Sequence, residues 1–225
     1  MPIEFNGPFA ASVRFLLEPD AANPGPRLFA LRELLHRPPD DPEVAAAQRA
    51  VMETGPVPAI LAAQNPEGWW IKPGPGYSPK YTGTVWSVMF LAQLGADGQD
   101  ARVRAACNYV LDHTRAPCGG FSADGKPTGL IHCLQGNLCA ALLDLGLLGD
   151  PRLDAALGWM ARSVTGEGIA PAGEKDAPLR YYRSGNSGPN FACSANNHEP
   201  CAWGAVKVLW ALGKVPDAQR HAARC

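Results

Sequence analysis

The chain has 225 residues, among them 24 Gly, 22 Pro and 7 Cys, and its formal net charge is −1. A chain of this length buries about 70–75% of its extended surface in one core, and 46% apolar residues without a three-residue glycine period exclude collagen and global disorder. The near-zero charge, with no Lys/Arg-rich tract, leaves no electrostatic footprint for nucleic acid.

The N-terminal stretch lacks the pattern of a secretory leader, because Arg14 interrupts the apolar run from Phe9 to Leu17. Seven cysteines is an odd number, so reduced thiols are expected rather than a disulfide framework. No apolar run approaches the roughly 18 residues of a membrane span. The expectation is a soluble, cytoplasmic protein, with membrane-surface attachment left open. Ala and Leu number 58 against 23 Ile, Val and Thr, so the regular structure is expected to be helical, with Gly and Pro as its punctuation.

Residues 1–40 read as an irregular, partly helical segment, and residues 41–225 as a repeat domain. The repeat is an Asp followed five and six residues later by Ala-Ala, at Asp41, Asp100, Asp150 and Asp217. Asp before a helix is an N-cap, accepting backbone N–H bonds. The last three are preceded by Leu94-Gly95, Leu145-Gly146 and Leu212-Gly213, each a helix stop with glycine after the last apolar position. Turns at Gly68-Trp69, Gly120-Phe121 and Gly168-Ile169 separate the units.

Helices are expected over 84–94, 137–145 and 202–212, where apolar residues surround the axis as in a helix covered on all sides. The intervening helices carry one stripe each: Val103, Ala106, Cys107, Val110 and Leu111, then Leu153, Ala156, Leu157, Met160 and Val164. Alternation of the two types predicts an all-α fold of inner and outer helix pairs, an α/α toroid or an arc of one. A helical solenoid has the same alternation. The fourth Asp-started helix reaches only Ala222-Ala223 before Cys225, so the sequence reads as a partial toroid ending inside its fourth repeat.

Gln64-Asn65-Pro66-Glu67-Gly68-Trp69-Trp70 fits QxxxGxW, the core of the QW motif of squalene and hopene cyclases. Gly119-Gly120-Phe121 ahead of an inner helix is similar to the repeat of protein prenyltransferase β subunits. Over about residues 41–225 the chain resembles the terpenoid cyclase/prenyltransferase α/α-toroid superfamily. The resemblance implies a central cavity for an apolar, isoprenoid-like or lipid-like ligand, and structural roles for Gln64, Gly68 and Trp70. The chain has neither the DxDD acid of class II cyclases nor the DDxxD that binds magnesium diphosphate. Fold similarity alone does not carry activity, so a non-catalytic toroid or solenoid serving protein interaction or ligand binding stands beside the enzyme reading. Catalytic residues are not assigned.

Two groups of residues are candidates for a site. His132 and Cys133, with His198 and Cys201, lie near the starts of neighbouring inner helices, and mixed His/Cys ligands suit Zn²⁺. In toroid relatives, catalytic zinc is held by Asp, Cys and His or by two Cys and a His at such starts. Cys118 and Cys193 are weaker ligand candidates. Small buried core residues are the alternative reading of these cysteines. The second group is drawn from loops and helix starts: Lys80, Tyr81, Arg180, Tyr181 and Arg183 to present cations and phenols to a diphosphate, and Trp86 and Trp203 to line an apolar cavity. An exposed basic turn and ordinary core aromatics are the competing readings. A partner chain completing the ring is a further expectation.

Overall fold

The computed structural model describes residues 8–171, 173–177, 179–181 and 187–217. Arg183 and the Ala222-Ala223 pair of the fourth repeat lie outside them. The described chain is all-α, with no strand and only isolated bridge pairs. Its α-helices are α1 (Ala10–Leu17), α2 (Gly25–Phe29), α3 (Pro42–Glu53), α4 (Pro56–Ala62), α5 (Thr84–Gln93), α6 (Ala101–His113), α7 (His132–Asp144), α8 (Pro151–Thr165) and α9 (Ala202–Lys214). A π-helical turn, Ala30–Leu34, follows α2. Among the described residues no helix is long and apolar enough to cross a membrane.

The repeat works through backbone chemistry. Asp41, Asp100 and Asp150 each cap a helix, their carboxylates accepting from the N–H of Glu43, Arg102 and Arg152 at 2.8 Å. At the far ends of α5 and α7, Gly95 and Gly146 take left-handed φ of 82° and 81°. Paired bonds then close both ends: Ala96 N–H to Leu91 and Gly95 N–H to Ala92, Leu147 N–H to Leu142 and Gly146 N–H to Leu143. The first Ala of each pair has its own purpose. The Gly68 turn sits so close to α6 that a Cβ there would lie 2.5 Å from the Ala105 carbonyl, and Gly119 lies against Ala155 in the same way. The second Ala, Ala106 or Ala156, is fully buried in the core.

Leu212-Gly213 departs from this pattern. Gly213 is inside α9, which runs to Lys214 and ends at Val215, before Pro216. Proline disfavours helical geometry in the residue before it, and so supplies the stop that glycine supplies elsewhere. The second inner helix also differs from expectation, starting at His132 rather than 137 and taking His132 and Cys133 into its first turn.

α5 packs on α7 and α7 on α9, while α6 packs on α5 and α8 on α7. Lys207 Nζ donates to Asn137 Oδ1 at 2.8 Å, and Lys214 Nζ to Asp144 Oδ1 at 2.7 Å, both pairs 70 residues apart. A constant offset over two turns means that α7 and α9 run parallel and in register. Their backbones touch where α7 has no side chain: a Cβ on Gly136 would lie 2.4 Å from the Lys207 carbonyl carbon. The stripes of α6 and α8 are buried as expected, Val164 only partly, and α5 and α7 are covered nearly all round. In contrast, α9 buries Gly204, Val208 and Ala211 but leaves Trp203, Val206, Leu209 and Trp210 exposed. It ends the row, and no described element covers its far side.

The N-terminal segment belongs to the same core. Leu28 and Leu31 are buried with it, Gly25 packs against the Leu94 carbonyl, and Leu28 and Phe29 pack against Gly95. The segment between α8 and α9 contributes to a smaller cluster, in which Ile169 and Tyr181 pack with Ala116, Leu130 and Trp159.

Candidate functional site

The QxxxGxW residues tie elements together. Gln64 Nε2 donates to the Arg102 carbonyl of α6 at 2.9 Å, and Trp70 Nε1 donates to the Ile60 carbonyl of α4 at 2.8 Å. The Trp70 N–H reaches the Thr84 hydroxyl at the start of α5. The second unit has a counterpart that its sequence does not announce. Gln135 on α7, fully buried, accepts from the Phe121 N–H at 3.0 Å and donates to the Phe121 carbonyl at 3.1 Å, clamping the Gly-Gly-Phe turn.

Part of the second candidate group is gathered by the loop before α5. Residues 74–83 fold back over α5: the Gly74 N–H donates to the Tyr109 hydroxyl, and the Val85 N–H to the Gly76 carbonyl. This loop sets Tyr77 and Tyr81 against Trp86, with ring centroids 5.4 and 4.8 Å from the indole. Trp86 Nε1 donates to the Tyr77 carbonyl at 2.8 Å, so the indole polar atom is satisfied within the loop. Tyr81 is 65% exposed with φ 67°, Lys80 beside it is exposed, and Trp86 is half-buried. Tyr77, absent from the expected set, is half-buried: burial first, then the Cys133 thiol and Tyr81, push its phenol above the ordinary value.

Two further thiols, Cys193 and Cys201, are carried by one segment. Residues 191–201 form a narrow hairpin in which Ala192 pairs with Pro200, the Cys193 N–H donates to the Glu199 carbonyl and the Cys201 N–H to the Phe191 carbonyl. Antiparallel pairing puts Cys193 and Cys201 on one face. Both are half-buried, as is Cys133. Burial, then Cys193, and more weakly Cys201, raise the Cys133 pKa, so Cys133 is a protonated thiol at neutral pH. All described cysteines are free thiols.

The proposed histidines do not join this group as ligands. His132 is buried, and its Nε2 lies 2.9 Å from the Gly188 carbonyl. A carbonyl only accepts, so the proton is on Nε2. Burial holds its pKa below the ordinary value, with the Gly188 bond acting in the opposite sense, and Nδ1 has no partner. His198 lies on a left-handed turn, φ 65°, and is exposed. Among the described residues no group of three or more His, Cys, Asp or Glu side chains is placed to hold a metal ion. The described structure does not bring His132, Cys133, His198 and Cys201 together as one such group.

The remaining binding candidates separate. Tyr181 is buried, its hydroxyl donates to the Ser163 carbonyl at 2.7 Å, and burial pushes its pKa up to about 12, so it has no free phenol to offer a diphosphate. Arg180 is half-buried and pairs with Ala170 through the backbone. Trp203 is exposed, with Lys207 Nζ 4.7 Å from its ring centroid. A groove of about 420 Å³ opens between α8 and α9, lined by Leu157, Val164, Phe191, Val208, Leu209 and Leu212 among others. No protein-family model matches the chain, and comparison with curated proteins and with solved structures found no match.

Proposed function

We propose that the paired helices are an arc of an α/α toroid and that the chain is a terpenoid cyclase/prenyltransferase-like protein binding an apolar, isoprenoid-like ligand at the N-terminal ends of α5 and α7. The observation that carries this reading is the group Tyr77, Trp86 and Tyr81, gathered at the start of α5 by the 74–83 loop. The parallel, in-register neighbours α7 and α9, backed by α8 on α7, support the arc. Ring faces so placed offer an unsaturated chain stacking and dispersion contacts, and exposed Lys80 next to Tyr81 supplies a cation for an anionic head group.

Within this reading the site binds rather than ionises its ligand. With no DxDD, no residue is identified to protonate an alkene. Cys133, held as a thiol, is a weak nucleophile at neutral pH. A non-catalytic binding module is the second reading, favoured by the commitment of the Tyr181 hydroxyl and His132 Nε2 to backbone carbonyls.

Equilibrium dialysis with farnesyl diphosphate tests the proposal. Loss of one stacked aromatic removes about 1–1.5 kcal/mol, close to tenfold in affinity. Trp86→Ala and Tyr81→Ala are each expected to weaken binding by about that factor, and Lys80→Ala to weaken farnesyl diphosphate more than farnesol. Absence of binding, or binding indifferent to both aromatic variants, refutes the site.

A further inference from the structure

The loop before α5 contains Pro73, Pro75 and Pro79, none of which has an N–H to give. Such a segment cannot build a regular ladder, so its polar groups must find partners elsewhere. Four consecutive residues do so, one hydrogen bond each, and two of the four partners belong to α6. The Gly74 N–H donates to the Tyr109 hydroxyl at 2.8 Å, and the Thr114 hydroxyl, at the C-terminal end of α6, donates to the Pro75 carbonyl at 2.9 Å. The other two bonds come from α5: the Val85 N–H donates to the Gly76 carbonyl at 3.1 Å, and Trp86 Nε1 to the Tyr77 carbonyl at 2.8 Å. Residues 74–77 are thus a strap pinned between α6 and α5. It passes so close to α5 that a Cβ on Gly76 would lie 2.8 Å from the Thr84 Cβ.

Both pins on α6 are buried and are themselves held. The Tyr109 ring lies against His113, with centroids 4.2 Å apart, which fixes the direction of its hydroxyl. The Thr114 carbonyl accepts from the Ser122 N–H at 2.8 Å, and the neighbouring Phe121 is clamped by Gln135 of α7. Buried bonds therefore tie the strap to α7 as well as to α5 and α6. Tyr77 is the last residue of the strap and Tyr81 follows four residues on, and the rings of both contact Trp86 on α5. Any slip of the strap along α5 changes those contacts.

We infer that Tyr109 and Thr114 are positioning residues for the Tyr77, Trp86 and Tyr81 group, acting on the rings through the backbone of residues 74–77. The effect on ligand affinity rests on the binding reading above, whereas the placement of the rings does not.

The test uses the protein labelled with 5-fluorotryptophan, with the Trp86 resonance assigned by Trp86→Phe. Tyr109→Phe keeps the ring against His113 and removes the hydroxyl, Thr114→Val keeps the shape without the donor, and Thr114→Ser keeps the donor. Tyr109→Phe and Thr114→Val are each expected to displace the Trp86 fluorine resonance and to leave that of Trp210, on α9, in place, while Thr114→Ser restores the wild-type position. Loss of one hydrogen bond shifts an equilibrium by about three- to tenfold. Equilibrium dialysis should show farnesyl diphosphate binding weakened by about that factor in Tyr109→Phe and Thr114→Val and restored in Thr114→Ser. A Trp86 resonance that neither Tyr109→Phe nor Thr114→Val moves, or that Thr114→Ser moves as far as Thr114→Val does, overturns the inference, as does a displaced resonance with unchanged affinity. A displaced resonance in a protein whose wild type binds no farnesyl diphosphate upholds the placement of the rings and refutes the ligand reading instead.

Discussion

Gly136→Ala sets two opposed effects against each other at the point where α7 and α9 touch. In an unobstructed helix interior, Ala in place of Gly stabilises by up to about 1 kcal/mol. Here the new Cβ would lie 2.4 Å from the Lys207 carbonyl carbon, 2.5 Å from its oxygen and 2.6 Å from the Val208 nitrogen. All three are backbone atoms, so no rotamer change relieves the contact. Ordinary contact begins near 3.4 Å, so α9 must retreat by about 1 Å along its contact with α7. Overpacking of this kind costs about 1–3 kcal/mol, and a clash with backbone belongs at the upper end. The net expectation is a loss of about 1–2 kcal/mol, or roughly 2–8 °C in Tm for a chain of this size. Gly204→Ala is the internal control. On the same contact, its Cβ would come closest to the His132 Cβ, at 3.1 Å, with nothing else nearer than 3.9 Å, so the helix gain and a slight crowding should nearly cancel. Thermal and urea unfolding, followed by far-UV circular dichroism, read both variants. A Gly136→Ala protein as stable as wild type, or less perturbed than Gly204→Ala, would refute the in-register contact.

Three further outcomes are expected. Gln135→Ala leaves the buried Phe121 N–H and carbonyl without partners, a loss of about 2–4 kcal/mol; a loss below about 1 kcal/mol in urea unfolding would contradict the clamp. Because the folded-state pKa of His132 is depressed by burial, the unfolded chain binds the proton first as pH falls. The neutral His132 therefore contributes stability that is complete above the ordinary pKa of 6.5 and declines as pH drops below it; in melts across pH, His132→Gln should remove this part of the slope, and an identical slope in both proteins would refute the assignment. In thiol labelling of the native protein, Cys107, raised to about 12 by burial, and Cys139, fully buried and raised by the same cause, should react only on unfolding, while Cys133, Cys193 and Cys201 react in the folded state. The rate at Cys133 should still climb at pH values where an unperturbed thiol, of pKa 9.0, has levelled off, and an early plateau there would contradict its burial.

The local elements were legible because local chemistry makes them. An Asp side chain caps a helix wherever it precedes one, and Leu-Gly stopped α5 and α7 because glycine alone enters the left-handed region without strain. Where a second local cause intervened, as Pro216 did after Gly213, the stop moved to it. The buried stripes of α6 and α8 followed from period alone, since a helix with one apolar face must turn that face inward.

Proximity across the chain was not legible. That Cys193 and Cys201 share a face depends on the pairing of the 191–201 hairpin, and that Tyr77 joins Tyr81 against Trp86 depends on how residues 74–83 fold over α5. Trp203 and Trp210 carry the same apolar signal as Trp86, yet two face outward and one packs between tyrosines. Residue type records how much surface a side chain would bury; only the neighbours that the tertiary structure supplies decide whether it is buried. For this protein the sequence alone determined the Asp caps, the glycine stops of α5 and α7 and the inward stripes of α6 and α8. The tertiary structure decided which side chains meet at the helix starts and which face of α9 is exposed.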